Sequence, residues 1–278
     1  MKSLNVVIVM LFMAVGLVLT SCDKEAVETN NNETVVNSDS DMESSFEDID
    51  DLASTILEAT ESNSGGRIAG EADDRVCEGA ITFSGDANSG TIVIDFGAGC
   101  EDSYGNVRKG KINIAYTGGR FQSGSVVTTT LDGYSINDIA IEGTRTLTNI
   151  TESANDYPTF SISLTGCKIT WPNDDVATRT VSKVRVWKRA SSPINDEVWI
   201  TGEASGVTRR GVAYNTTITD SLVYKASCRV STRGRLALAG TKIIETENKI
   251  ITVDYGDGNC DRRVSIVVDG KSENVNLD

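Results

Sequence analysis

The sequence predicts an all-β domain built from antiparallel strands. Three observations carry that expectation: from Cys77 onward Thr, Val and Ile dominate, turn residues recur at short intervals, and no segment sustains a helical period. Only three prolines interrupt the whole chain. Short strands without alternating helices fit an antiparallel sandwich, an open barrel or an extended meander, and the sequence leaves these three open. Residues 75–278, about 200 in number, suffice for one core in a single domain.

In chain order, Met1-Lys2 is a short basic start, and an apolar run follows from Val6 to Leu19, broken only by Gly16. A membrane span needs about 20 apolar residues. The run, ending in Leu19-Thr20-Ser21-Cys22, reads instead as a secretory signal over residues 1–21. That ending resembles the lipobox of bacterial lipoproteins, in which the cysteine is acylated and becomes the first mature residue. The resemblance makes Cys22 the expected lipidation site. A double-acyl (palmitate-type) anchor, at about 0.8 kcal/mol per buried CH₂, holds a soluble domain on a membrane.

Residues 22–74 form an expected acidic tether. Between Asp23 and Asp74 stand 16 acidic residues against Lys24 and Arg67, so this stretch alone carries a net charge of -14. The remainder from Arg75 is nearly neutral. A leader rich in Asn, Glu, Ser and Asp self-repels and is expected to be disordered; as a coil it reaches on the order of 40 Å. One short amphipathic helix is predicted within it, near residues 44–60. Phe46, Ile49, Leu52, Ala53, Ile56 and Leu57 recur at helical spacing, and Ser44 or Ser45 stands ready as N-cap. Packing of this helix on the domain is favoured over docking on a partner. Ser62 to Gly70 reads as a hinge. The neutral domain carries no basic footprint, which argues against nucleic acid.

The predicted strands are Ala80–Ser84, Gly90–Phe96, Arg108–Thr117, Ser125–Leu131, Asp138–Glu142, Arg145–Thr151, Thr159–Trp171, Ala177–Lys188, Glu197–Ala204, Arg210–Thr219, Leu222–Val230, Arg235–Ala239, Lys249–Tyr255 and Arg263–Val268. Asp132-Gly133, Asp257-Gly258 and Asp269-Gly270 supply turn dipeptides. In Thr159–Trp171 the apolar residues change sides at Gly166, which predicts a bulge there. In Ala177–Lys188, Val184 and Val186 face one way, and Lys183, Arg185 and Trp187 the other, followed by Arg189. That basic, aromatic face is either a solvated sheet surface shielded by aliphatic stems or a site for a sugar ring or acidic polymer.

Two stretches echo each other. Ile92 to Cys100 and Ile250 to Cys260 both read as a β-branched strand, then Asp, an aromatic, Gly-x-Gly and a cysteine. Each has a cysteine upstream, which suggests two related modules closed by Cys77–Cys100 and Cys228–Cys260, although four cysteines allow three pairings. Cys167, beside Ile169 and Trp171, is expected to be a buried, inert thiol.

The chain has no histidine. Ser-His-Asp and Cys-His catalysis, His-ligated zinc and HExxH chemistry are thereby removed. Asp254, Asp257, Asn259 and Asp261 crowd a Gly-rich turn with the oxygen ligands of a weak calcium candidate. Arg262 stands where a calcium loop wants Gly, and Asp and Asn are ordinary turn residues.

Several phrases carry a family resemblance: Arg108-Lys109-Gly110-Lys111-Ile112, Glu142 to Asn149, Ile200-Thr201-Gly202, Arg210 to Tyr214 and Asp254 to Asp261. With the lipobox, they resemble uncharacterised lipoproteins of Bacteroidetes, especially flavobacteria, from about Cys77 to the C-terminus. The resemblance implies an outer-membrane location and no catalytic residue; Asp23-Lys24-Glu25 is similar to signals for cell-surface display. The expected function is a non-enzymatic, lipid-anchored envelope β domain that binds a glycan or envelope protein or serves a structural role. The alternatives are a His-free glycosidase or lyase and a calcium-stabilised adhesin-like module.

Overall fold

The computed structural model describes residues 24–62, 73–77, 80–86, 88–103, 105–119, 121–153, 156–228 and 236–277, with α-helical side chains described for 34–60. The signal, Cys22 and all of the expected hinge except Ser62 lie outside these residues. The chain forms α1 (Lys24–Ser62), then β1 (Ile81–Gly85), β2 (Ser89–Asp95), β3 (Cys100–Glu101), β4 (Val107–Thr117), β5 (Val126–Ile136), β6 (Ile139–Asn149) and β7 (Thr159–Thr170). There follow β8 (Val176–Lys188), β9 (Glu197–Val207), β10 (Ala213–Lys225), β11 (Ala239–Thr246), β12 (Ile250–Asp257), β13 (Arg263–Val268) and β14 (Lys271–Asn276).

All the strands belong to one antiparallel sheet, in which each hydrogen-bonds its sequence neighbours. The exception is β3, a two-residue arm on β4, which lets β2 pair with β4 directly. The sheet is an open meander running from β1 to β14. Alternation gives it two unlike faces. Ile112 and Ile114 on β4, Ala177 and Val181 on β8, and Ile251 and Val253 on β12 are buried, whereas their outward neighbours are mostly Thr, Ser and charged residues. One packed face and one solvated face is the ordinary state of an antiparallel sheet.

The packed face curls round α1. Between residues 34 and 60 only Asp41 and Glu58 are exposed. Val35, Met42, Ile49 and Ile56 repeat every seven residues, with Phe46, Leu52 and Ala53 between them, and all are buried. Bulges bend the strands inward. At one of them Gly143 (φ +146°) on β6 leaves room for the Phe46 ring: a Cβ there would lie 3.3 Å from both Phe46 Cζ and Leu164 Cδ1. The predicted bulge at Gly166 (φ +62°) is present, with the β7–β8 register shifting between Leu164 and Cys167.

Several expectations need correction. The helix is not a short segment at 44–60 but spans Lys24–Ser62. Ser44 and Ser45 lie inside it and donate to the carbonyl of Asp41 instead of capping its start. The stretch read as a disordered, self-repelling tether is therefore largely helix, and its acids at 39, 43, 47, 48 and 50 find their counter-charges on the sheet. The two strands predicted within 138–151 are one, β6, and those predicted at 210–219 and 222–230 merge over Ala213–Lys225 into β10, since a bulge holds a bent strand together; the strand predicted at 235–239 gives way to β11 at Ala239–Thr246. The Asp132-Gly133 pair lies within β5, and the β5–β6 turn is made by Asn137 and Asp138, both at positive φ (51° and 63°). Those two angles suit the turn that best matches strand twist in a hairpin.

Candidate functional site

Two features stand out: a buried ladder of ion pairs between α1 and the sheet, and an aromatic, basic cluster at one end of it. In the ladder, Asp39 accepts from Arg179 and from Lys242 Nζ (2.6 Å), with Thr216 Oγ1 at 3.4 Å. Glu43 pairs with Arg179 (2.7 Å) and Lys183. Glu47 meets Arg145 (3.1 Å) and Arg185, and Asp50 meets Arg145 (2.6 Å). Asp48 takes Arg108 (2.8 Å) and Arg75 (3.1 Å), and Arg75 also holds Asp51 and Asp73. Tyr134 and Tyr214 accept hydrogen bonds from Arg108 (2.6 Å) and Arg179 (3.1 Å). The spacing explains the register: acids at 39, 43, 47 and 50 share one helical face, and the cations sit at inward positions of β4, β6, β8 and β11.

Burial and pairing compete at each carboxyl. Burial opposes ionisation of Asp39, but Arg179, Lys242 and Lys183 overcome it and hold the carboxyl well below the ordinary carboxylate range. Against the same burial, Lys183 and Arg179 lower Glu43 to about 2. Asp50 goes the other way: burial outweighs Arg145 and Arg185 and raises it.

The expected binding face of Lys183, Arg185, Trp187 and Arg189 divides in two. Lys183 is buried against Glu43 and Arg185 pairs with Glu47, so neither faces solvent as a ligand site would require; α1 already occupies that side of β8. Trp187 and Arg189 meet Phe121 and Asp196. The rings of Trp187 and Phe121 are 5.8 Å apart, and the Arg189 guanidinium stands 5.2 Å from Phe121 and 5.4 Å from Trp187. Trp187 Nε1 donates to Asp196 (2.9 Å), which fixes the indole.

Three connections converge at this end. The Trp187 amide donates to the Pro158 carbonyl and the Gly124 amide to the Asn149 carbonyl, tying β4–β5, β6–β7 and β8–β9 together. Phe121 (44%), Ile150 (42%), Tyr157 (52%) and Ile194 (57%) are exposed here. The opposite end of the sheet receives the early part of α1, where the Arg209 amide donates to Ser38 Oγ at 3.4 Å.

The calcium candidate lies at the end of β12 and in the β12–β13 connection, where each carboxylate accepts from its own near neighbour. Asp254 accepts from the Gly256 amide, Asp257 from the Asn259 side-chain amide and Asp261 from the Arg263 amide. Among the described residues no three such groups gather as a metal site. The disulfides are Cys77–Cys100 and Cys228–Cys260. The echoed turns share their geometry as well: Asp95 caps Gly97 as Asp254 caps Gly256, and Phe96 and Tyr255 are both buried. Cys167 is free and buried, its thiol pushed up to about 11 by burial.

The ladder was missed in the sequence, yet it left a signal. Arg145 shares a strand face with Ile141, Arg179 lies between Ala177 and Val181, and Lys242 precedes Ile244 by two. A cation at an apolar position of the alternation wants a buried acid, and the acids at 39, 43 and 50 share the apolar side of α1. Compared with known protein families, curated proteins and solved structures, the chain matches none.

Proposed function

We propose that this chain is a lipid-anchored protein of the bacterial outer envelope that binds an anionic glycan, without catalysis, through the loop end of its sheet. The carrying observation is the cluster of Phe121, Trp187 and Arg189. A partly exposed pair of aromatic rings offers flat faces for sugar stacking, and a guanidinium beside them matches a carboxylate or sulfate in a bidentate fork. The indole is held in place before any ligand arrives, which lowers the ordering cost of binding.

The lipobox-like Cys22 supports the anchor, and two disulfides fit an oxidising compartment. Because Ser38 meets the opposite end of the sheet, a chain anchored ahead of α1 would turn its aromatic loops away from the membrane. Thermal unfolding against neutral and acidic polysaccharides tests this reading, since a ligand of the native state raises the midpoint by mass action. An acidic polysaccharide should raise it, and the Phe121→Ala/Trp187→Ala double variant should lose the shift. No shift with any acidic polysaccharide sinks the proposal.

A further inference from the structure

The ladder is a poor way to build a permanent core. Replacing buried ion pairs by apolar residues of similar volume is often neutral or stabilising, so a helix meant never to leave gains little from them. Charges do keep both surfaces solvated when they part. The fit is also incomplete. Among the described residues seven buried side-chain atoms lack hydrogen-bond partners, and five of them, Asp50 Oδ1, Arg108 Nη2, Arg179 Nε, Arg185 Nε and Asn37 Oδ1, belong to α1 or to the cations facing it; the others are Thr170 Oγ1 and Arg262 Nε. Arg108 and Arg179 are 0% and 2% exposed, which makes each orphaned nitrogen costly.

Beneath α1 the sheet presents an apolar floor, including Ile112, Ile114, Leu164 and Val181, studded with Arg108, Arg145, Arg179, Lys183 and Lys242. Its most complete feature is a carboxylate receptor: Arg179 and Lys242 close on one carboxylate, Thr216 stands beside it, and Tyr214 steadies the guanidinium. Asp39, fully buried, fills that receptor. The trough spans at least the length of residues 34–60, about 40 Å of helix some 10 Å wide, which is ample for one extended acyl chain.

We infer that α1 is a releasable occupant, and that the trough beneath it binds a single-chain anionic lipid, with the acyl chain on the apolar floor and the acid group taking the place of the Asp39 carboxylate between Arg179 and Lys242. This site is separate from the aromatic loop end. Binding replaces the Asp39 carboxylate by that of the lipid and part of the apolar side of α1 by methylene groups, while Arg108, Arg145, Lys183 and Arg185 exchange Asp48, Asp50, Glu43 and Glu47 for water. Released, α1 returns its acids to water and exposes its apolar side with them.

The test uses the full chain and the fluorescent fatty acid cis-parinaric acid, with hydrogen exchange followed over residues 34–60. The expected result is saturable one-to-one binding that accelerates exchange in 34–60 at least tenfold while the strands keep their protection. Asp39→Asn, which weakens the resident carboxylate, should tighten binding about tenfold, and Trp187→Ala should leave it unchanged. The wild-type measurement stands alone should Asp39→Asn fail to fold. Absence of saturable binding by the wild-type chain, or binding with exchange of 34–60 unaltered, overturns the inference.

Discussion

Strand β8 carries two cationic stretches on one face, and they have opposite fates. Arg179, Lys183 and Arg185 lie under α1, paired with Asp39, Glu43 and Glu47. Arg189, just past the strand, stands beside Trp187 and Phe121 at the open end. Residue type and alternation are the same in both. What differs is a segment 140 residues away in sequence, which delivers acids to the first stretch. The first stretch is thereby part of the core; Arg189 stays exposed at the loop end.

Stability measurements should separate the two sharply. Asp39→Ala leaves Arg179 and Lys242 buried without their shared partner and is expected to cost about 3–5 kcal/mol. Arg189→Ala, at the exposed end, should stay within about 0.5 kcal/mol. Chemical denaturation of both variants checks this, and similar losses would erase the distinction.

Acid should act on the first stretch. Asp39 and Glu43 have folded pKa values depressed below their unfolded ones, so their stabilisation is full above the ordinary carboxylate range and is lost as pH falls through those folded values, about 2 for Glu43. Asp50 is raised, so it contributes the opposite sign: protonating it favours the fold as pH falls through its folded value. Unfolding midpoints should therefore fall below about pH 4.5 in the wild type, and Glu43→Gln should flatten that slope. A midpoint unchanged down to pH 3 would mean that the ladder adds no net stability.

A smaller effect sharpens the comparison on its apolar side. Gly143→Ala presses a methyl against Phe46 and Leu164 and strains a backbone at φ +146°. It should cost about 1–3 kcal/mol, and hydrogen exchange should show α1 loosening before the outer strands do. Uniform loosening of the whole sheet would show that α1 and the strands open as one unit.

Much of the fold was legible. Most of the antiparallel strands, the Gly166 bulge and the apolar side of α1 from Phe46 to Leu57 follow from local pattern, and the echoed turns suggested the two disulfides, because alternation, turn chemistry and helical period act over a few residues; β11 and β14 were not foreseen. The errors came where local pattern stops. Counting charge within residues 23–74 made that stretch a self-repelling tether, since none of its partners lies nearby in sequence. Reading β8 alone made Lys183 a surface residue, since nothing in the strand shows what covers it.

The sequence by itself determined most strands and the existence of a helix with an apolar side, together with the alternation of faces, and it suggested the pairing of cysteines in echoed turns. Only the tertiary structure decided which face of β8 is interior, that acids at 39–50 meet cations at 108–242, and that Phe121 joins Trp187. These are contacts between distant segments. Their energy depends on what excludes water from each charge, and a chain laid out in sequence leaves every charge in water.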